Sequence, residues 1–202
     1  MAELFDLRDG KELVRIARKS IGYYLHTGAL LKEASPSAKY NEKRGVFVTL
    51  HSFPERELRG CIGFPEPVAP LWRAIMENAV NAAFSDPRFA PLEARELDKI
   101  IVEVSVLTKP VAMRCERNAL PQKIKIGRDG LIIRKGNNAG LLLPQVATEL
   151  KWNAEQFLEA LCHKAFLPTQ AWKSDEAGIC TFQSQVFAEE KPCGRIREIK
   201  TR

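Results

Sequence analysis

Residues 45–64 read GVFVTLHSFPERELRGCIGF and contain two strand-like segments, 45–51 and 57–64. Apolar side chains alternate with others along both segments, which is typical of strands that bury one face. The link between the segments contains proline, and such a link between two strands predicts an antiparallel hairpin. A hairpin at this point favours antiparallel pairing over a doubly wound parallel sheet.

The alternation also assigns each side chain of this hairpin to one of two faces. The face expected to join the core carries Val46, Val48, Leu50, Leu58, Ile62 and Phe64. The opposite face carries Phe47, Thr49, His51, Arg59 and Cys61. A register that pairs Leu50 with Leu58 places Phe47 opposite Cys61. It leaves His51 two rungs away from the thiol, too far for a direct hydrogen bond.

The rest of the chain alternates predicted helices with predicted strands. The capping-box spacing of Asp9 and Glu12, with Gly28 as a terminator, predicts a first helix at 9–27. Periodicity and turn residues predict the further elements, which are a helix at 70–84, a strand at 99–107, a hairpin from LIIRK (131–135) to LLLP (141–144), a helix at 153–166 and a strand at 178–187. The predicted class is α+β, with an antiparallel or mixed sheet flanked by helices.

The composition is that of an ordinary globular domain. The 202 residues are 45% apolar and 28% charged, and no linker separates two domains, so we expect one domain over 1–202. The net charge is +6, and much of the excess lies in the first helix and the last segment. We interpret these basic residues as a solvated helix face and a flexible tail at 190–202, with nucleic-acid binding as the less favoured alternative.

Nothing in the chain indicates secretion, membrane insertion or metal binding. Its five cysteines form no CxxC pair, its three histidines lack metal-binding spacing, and no apolar run is long enough to span a bilayer. The N-terminal segment is charged and has no signal-peptide core. We therefore expect reduced thiols, a cytoplasmic location and no metal site, and no motif indicates a cofactor.

The hexapeptide LRGCIG (58–63) holds the main candidate for chemistry. Arg59 and Cys61 share a face with their Cβ atoms about 7 Å apart, so the guanidinium could lower the pKa of the thiol and favour thiolate. Gly60 and Gly63 leave bare backbone, which would let a ligand or another chain segment come close. The alternative is a small buried cysteine beside an arginine that pairs with a structural carboxylate.

Two other polar positions are weaker candidates. Glu103 interrupts the apolar strand at 99–107, where it could act as a general base or pair with Arg59, and a half-exposed strand is the alternative explanation. Asp86 and Arg88 lie in SDPRF, where they could bind a polar ligand. A turn capped by its own side chains explains this second pair as well.

Several blocks, in this order along the chain, resemble the AMME chromosomal region (AMMECR) domain family. They are LRGCIG, which is the family's signature, AAFSDPRFAPL (82–92), VEVSVLTKP (102–110), IGRDGLII (126–133), LLLPQVATEL (141–150) and FLEALCHKAFLP (157–168). Phe166 stands at a helix end where the family commonly has glycine. The resemblance covers nearly the whole chain and implies one α+β module with a larger and a smaller subdomain.

This resemblance implies partners but no reaction, because the family has no settled activity. Prokaryotic members resemble one component of a three-part system that includes a Memo-type protein and a radical SAM enzyme. The first hypothesis is a cytoplasmic enzyme or enzyme-system component that uses Cys61, Arg59 and, more weakly, Glu103. The second is a non-catalytic binding or adaptor module for protein, peptide or, less favoured, RNA. The residues carried over as predicted substrate contacts are Leu58, Gly60, Ile62, Gly63, Asp86 and Arg88.

Overall fold

The computed structural model describes residues 5–199, which fall into two compact units. The first unit combines the chain up to Leu107 with the segment from Gln185 onward, and the second is the continuous segment Thr108–Ser184. Each unit has its own sheet and its own apolar core. The predicted α+β class is confirmed, with two antiparallel sheets in place of one.

Helices and strands follow one another throughout the described chain. In order they are α1 (Leu7–Thr27), β1 (Val46–Ser52), β2 (Leu58–Phe64), α2 (Leu71–Phe84), β3 (Ile100–Leu107), β4 (Val111–Ala112), α3 (Leu120–Lys123), β5 (Gly130–Lys135), β6 (Asn138–Leu142), α4 (Pro144–Glu149), α5 (Ala154–Lys164), β7 (Gly178–Phe182), β8 (Ser184–Glu189) and β9 (Ile196–Ile199). None of the helices described between residues 5 and 199 is both long and apolar enough to cross a membrane.

Helix α1 begins and ends at residues whose backbone needs a cap. The side chain of Asp6 accepts a hydrogen bond from the backbone N–H of Asp9, and the side chain of Asp9 accepts one from the backbone N–H of Asp6. This capping box therefore lies one turn earlier than the predicted pair of Asp9 and Glu12. Gly28 ends the helix as predicted, with a φ of 66° in the left-handed region. The helix is therefore slightly longer than the sequence predicts.

The first unit is a five-stranded sheet in the order β2-β1-β3-β8-β9, with α1 and α2 packed on one face. Strand β1 pairs antiparallel with both β2 and β3. The strand residues that face the helices are fully buried. They are Val46, Val48, Leu50, Val102, Val104 and Val106. Burial of these β-branched and leucine side chains is the main stabilising term for this unit. Strand β2, which carries LRGCIG, lies at the edge of the sheet.

The second unit is a four-stranded sheet in the order β4-β7-β5-β6, with α5 packed on it. Asn153 and Gln156 form the capping box that starts α5, as predicted. Cys162 on this helix is fully buried in the core of the unit, as its position on the apolar stripe indicates. In the glycine-rich GRDG segment, Asp129 accepts hydrogen bonds from the Lys125 N–H and the Arg128 guanidinium, so side chains of the segment itself hold this turn.

Three predicted segments differ from the structure. The strand predicted at 178–187 is two strands, β7 and β8, which belong to different sheets and meet at Gln183. The second strand of the predicted 131–144 hairpin starts earlier, at Asn138. Within the tail predicted to be flexible, Ile196–Ile199 pairs with β8 as strand β9, and residues 200–202 lie outside the described chain.

Candidate functional site

The thiol of Cys61 belongs to a row of polar side chains that crosses three strands. Cys61 lies opposite Thr49, not opposite Phe47 as predicted, and Thr49 lies in turn opposite Glu103 on β3. Residues directly opposite one another in antiparallel strands share a face. The Thr49 hydroxyl donates to Cys61 Sγ at 3.3 Å, and Glu103 Oε2 is 4.0 Å from His51 Nε2.

A one-residue shift at the turn and a bulge together explain why the predicted register is wrong. Leu50 lies opposite Gly60 but the next residue, His51, lies opposite Leu58, so the pairing skips Arg59. A bulge of this kind sets two residues of one strand against one of its partner, and it redirects the side chains beyond it. Leu58, predicted to be a core residue, is consequently 41% exposed.

Both glycines of LRGCIG are required by close packing within the protein. A Cβ added at Gly60 would lie 2.1 Å from the carbonyl oxygen of Ala82 in α2, and a Cβ at Gly63 would lie 2.3 Å from the ring of Phe47. Ile62, between them, packs half-buried against the core of the first unit. The space that the glycines leave is therefore filled by other segments of the chain, which was one of the two outcomes expected from the sequence.

The backbone of Cys61 is held by the SDPRF turn. Asp86 Oδ2 accepts the Cys61 N–H at 2.8 Å, and Arg88 Nη2 donates to the Cys61 carbonyl at 3.3 Å. Asp86 is buried and also accepts from the backbone N–H, Nε and Nη2 of Arg88 at 3.1, 3.0 and 2.7 Å. These bonds from Arg88 hold the pKa of Asp86 well below its usual range. The turn thus covers the sheet edge at Cys61, where exposed backbone groups could otherwise pair with another strand.

Burial raises the pKa of the Cys61 thiol. The hydrogen bond from Thr49 and the charge of Arg88 act in the opposite direction, while the carboxylates of Glu103 and Asp86 raise it further. The cation that acts on the thiol is therefore Arg88, and the sequence-based expectation that Arg59 lowers the pKa is not met. At neutral pH the environment favours the protonated thiol.

Arg59 forms an ion pair with Glu96. Its Nε and Nη2 bind the two carboxylate oxygens of Glu96 at 2.8 and 3.1 Å, whereas one sequence interpretation paired it with Glu103. The ring of Phe89 has the Arg59 guanidinium 5.9 Å and the Arg88 guanidinium 5.5 Å from its centroid. We refer to Arg59, Phe89 and Arg88 as the arginine–phenylalanine surface.

This surface has one accessible donor group and one buried donor group that lacks a partner in the described part of the chain. Arg59 Nη1 is buried and has no hydrogen-bond partner among residues 5–199, and the side chain of Arg88 is 54% exposed. Sequence reasoning missed Glu96 and Phe89 as neighbours of the hexapeptide, and it placed Thr49 on the face of Cys61 without pairing the two. The E-x-x-E spacing of 93–96, which forms a capping box, signals an ordered carboxylate but not the arginine that it meets.

His51 is a neutral base in this environment, because burial lowers the pKa of its imidazole. Its neighbour on the sheet face is the carboxylate of Glu103. Within the described part of the chain no three His, Cys, Asp or Glu side chains are grouped so that they could hold a metal ion. The chemistry that this face offers is therefore that of a thiol, an imidazole and a carboxylate.

Comparison with known proteins agrees with the resemblance found in the sequence. The model of the AMMECR1 family matches residues 14–187. Protein MK0488 of Methanopyrus kandleri is 48% identical over 98% of this chain and 97% of its own length, and protein MJ0810 of Methanocaldococcus jannaschii is 47% identical over 98% of each chain.

A solved structure agrees as well. The crystal structure of the uncharacterized protein PH0010 from Pyrococcus horikoshii superimposes with a TM-score of 0.90 at 42% identity, covering 98% of this chain and all of that one. The names of these relatives state no activity, so the comparison assigns a family and no reaction. Because the match extends over most of the chain in both sequence and structure, this chain belongs to the AMMECR1 family.

Proposed function

We propose that this protein is the binding component of an enzyme system, and that Cys61 serves it as a scaffold residue and not as a resting thiolate nucleophile. One observation carries the proposal: the backbone N–H and carbonyl of Cys61 are both bonded by the SDPRF turn, while burial raises the pKa of its thiol. A nucleophilic cysteine is activated by a lowered pKa or by a base, and here the pKa is raised.

The arginine–phenylalanine surface is the part of the site suited to recognition. Arg59 and Arg88 each bind one carboxylate through Nε and Nη2, which fixes the planes of both guanidiniums beside the Phe89 ring. Fixed guanidiniums lose little conformational freedom when they bind, and arginine and aromatic residues dominate the energetics of interfaces. We propose that a partner presents a carboxylate or a peptide carbonyl here, with the exposed Leu58 at the rim.

The proposed partners are a Memo-type protein and a radical SAM protein, and the proposed location is the cytoplasm. The proposal of these two partners rests on the family resemblance alone. The cytoplasmic location is supported by the five cysteines, all of which are free thiols. Disulfides are rare in reducing compartments, so a chain with five unpaired cysteines fits the cytoplasm.

Isothermal titration calorimetry of the full chain against the Memo-type and radical SAM proteins of the same genome tests this proposal. We expect Cys61→Ser to bind as the wild type does, and Phe89→Ala to bind at least about tenfold more weakly, because interface aromatics carry much of the binding energy. Phe166→Ala is the matched control, since Phe166 is the most exposed phenylalanine and lies in the second unit. Absence of binding to both proteins, or loss of binding in Cys61→Ser, contradicts the proposal.

The row formed by Cys61, Thr49 and Glu103, with His51 beside Glu103, favours a second candidate, which is thiol chemistry assisted by a base. In this candidate the proton of Cys61 passes along the row through Thr49 to Glu103, where the neutral imidazole of His51 lies beside the carboxylate. If this candidate is correct, His51→Gln slows the labelling of Cys61 by a neutral electrophile. If Cys61 is a scaffold residue, labelling does not change.

A further inference from the structure

Basic residues from α1 and from the turn between β8 and β9 line one pocket of the first unit. The pocket has a volume of about 490 Å³ and lies where α1 packs beside the β8–β9 hairpin. Its lining includes Lys11, Arg15, Arg18 and Lys19 from α1 and Arg195 from the hairpin. From the sequence these residues are interpreted as a solvated helix face and a flexible tail, with nucleic-acid binding as the less favoured alternative.

The floor of this pocket is a fixed ion pair. Arg18 Nε and Nη2 bind the carboxylate of Glu189 at 2.5 and 2.6 Å, and Arg18 also donates to the carbonyls of Leu97 and Ile100. Glu189 is 3% exposed and accepts the backbone N–H of Val102 at 3.0 Å. Arg18 is thus a structural residue, and its charge is balanced within the fold.

The walls of the pocket carry positive charge that the fold leaves largely unbalanced. Lining residues include five cations and one carboxylate, so the count is five minus one, or +4. Lys19 also contacts Glu33, where both side chains are exposed. Lys11, Arg15 and Arg195 have no ion-pair partner within residues 5–199.

The spacing on α1 makes this arrangement unfavourable without a ligand. Lys11, Arg15 and Lys19 follow one another at intervals of four residues, so they are neighbours on one side of the helix. Like charges at this spacing repel and destabilise a helix. A bound polyanion would convert this repulsion into attraction, and guanidinium forks match the geometry of phosphate oxygens.

We propose that this pocket binds the polyphosphate group of a small molecule, such as a nucleoside triphosphate. The volume falls in the range of small-ligand pockets, roughly 300–1,000 Å³. Its lining contains no aromatic side chain on which nucleic-acid bases could stack, which disfavours a single-stranded RNA groove. Recognition is therefore directed at the phosphates. This site is distinct from the one at Cys61 and does not depend on the function proposed there.

Calorimetric titration of the full chain with sodium tripolyphosphate, with ATP and with sulfate at matched ionic strength tests the proposal. We expect both polyphosphates to bind more tightly than sulfate, and Arg15→Gln and Arg195→Gln each to weaken them at least about tenfold, the low end of the effect of losing a charge-assisted bond. Arg8→Gln is the matched control, because Arg8 is an exposed arginine on the same helix outside the pocket.

The unliganded variants provide the check on folding. Since Arg15 lies between two like charges, Arg15→Gln should unfold at the same temperature as the wild type or at a higher one, so lost binding would not reflect lost structure. Three results overturn the proposal: sulfate binding as tightly as tripolyphosphate, binding unchanged in both variants, or an RNA oligonucleotide binding where tripolyphosphate does not. The result of the binding experiment at the Cys61 site does not affect the test of this pocket.

Discussion

At Asp86, one buried carboxylate accepts four hydrogen bonds, one from Cys61 and three from Arg88. Replacing Asp86 with Asn removes the charge opposite Arg88 and turns an amide N–H₂ toward donors. We expect the free energy of unfolding to fall by about 2–3 kcal/mol, below the effect for a fully buried pair because Arg88 is half exposed. Urea denaturation measures this free energy.

The control is Glu93→Gln, which breaks the exposed ion pair with Arg95. If Asp86→Asn lowers the free energy of unfolding no more than this control does, the prediction is wrong.

The same carboxylate makes stability depend on pH. The pKa of Asp86 in the folded protein lies below its value in the unfolded chain, which is about 3.9. Its contribution is complete above the unfolded pKa and is lost as the pH falls through that value toward the folded pKa. The unfolding free energies of wild type and Asp86→Asn should therefore differ at pH 7 and converge as the pH falls below about 4. Curves that stay parallel down to acidic pH would rule out this linkage.

The raised pKa of Cys61 predicts slow reaction with electrophiles at neutral pH. Only the thiolate reacts, so the alkylation rate should rise with pH to a midpoint above that of an unperturbed thiol, about 8.5. Mass spectrometry that resolves the Cys61 peptide, after iodoacetamide treatment between pH 6 and 10, gives this midpoint, and a cysteine-containing model peptide is the reference. A midpoint below that of the peptide would instead support the hypothesis that Cys61 is an activated nucleophile.

At the scale of elements, Gly60 determines how closely α2 approaches strand β2. A Cβ at this position meets the Ala82 carbonyl oxygen at 2.1 Å, and a backbone carbonyl within a helix cannot move independently. We expect Gly60→Ala to lower the free energy of unfolding by about 3 kcal/mol, the upper end of the usual cost of overpacking. Gly178→Ala in strand β7 is the control, because its Cβ would meet only the Arg134 carbonyl oxygen, at 3.7 Å. Equal stability of the two variants would show that α2 accommodates the methyl group.

Elements with local signals could be predicted from the sequence, and pairings between distant segments could not. Gly28 as the end of α1 and the Asn153–Gln156 capping box of α5 depend on a few adjacent residues, and both were predicted correctly. The register of β1 with β2 failed because Gly60 was interpreted as a site of close approach alone, whereas a glycine within a strand also accompanies a bulge such as the one at Arg59. The split of 178–187 was missed because alternation looks the same in one strand as in two consecutive strands of different sheets.

The candidate site shows the same division. The hexapeptide, Asp86, Arg88 and Glu103 were identified as candidates, and the structure brings Asp86, Arg88 and Glu103 into the electrostatic environment of the Cys61 thiol. The partner of Arg59 was not predicted, since Glu96 lies 37 residues away and neither residue alone indicates the other. Which arginine acts on the thiol is decided by these non-local pairings, so the sequence-based assignment went to Arg59.

At the scale of the whole molecule, the first unit is assembled from both ends of the chain. The Phe5 backbone exchanges hydrogen bonds with the Gln185 side chain at 3.1 and 2.7 Å. Gly10 of α1 lies directly against the Phe187 ring of β8, where an added Cβ would be 2.1 Å from a ring atom. Together with the Arg18–Glu189 pair, these contacts join the first helix to the last strands. The basic segment after Glu189 is therefore part of the unit's structure and of its proposed polyphosphate pocket.

Truncation of the chain tests whether the C-terminal segment that ends at Ile199 is structural. A chain that ends at Glu190 lacks β9, its ladder with β8 and the buried Ile196, whereas a chain that ends at Ile199 keeps them all. We expect the shorter chain to lose about 3 kcal/mol or more of unfolding free energy, from one buried isoleucine and the strand's hydrogen bonds. Because Arg195 is removed as well, it should also bind tripolyphosphate more weakly. If both chains unfold at the same urea concentration, β9 contributes nothing to stability and the segment is a tail after all.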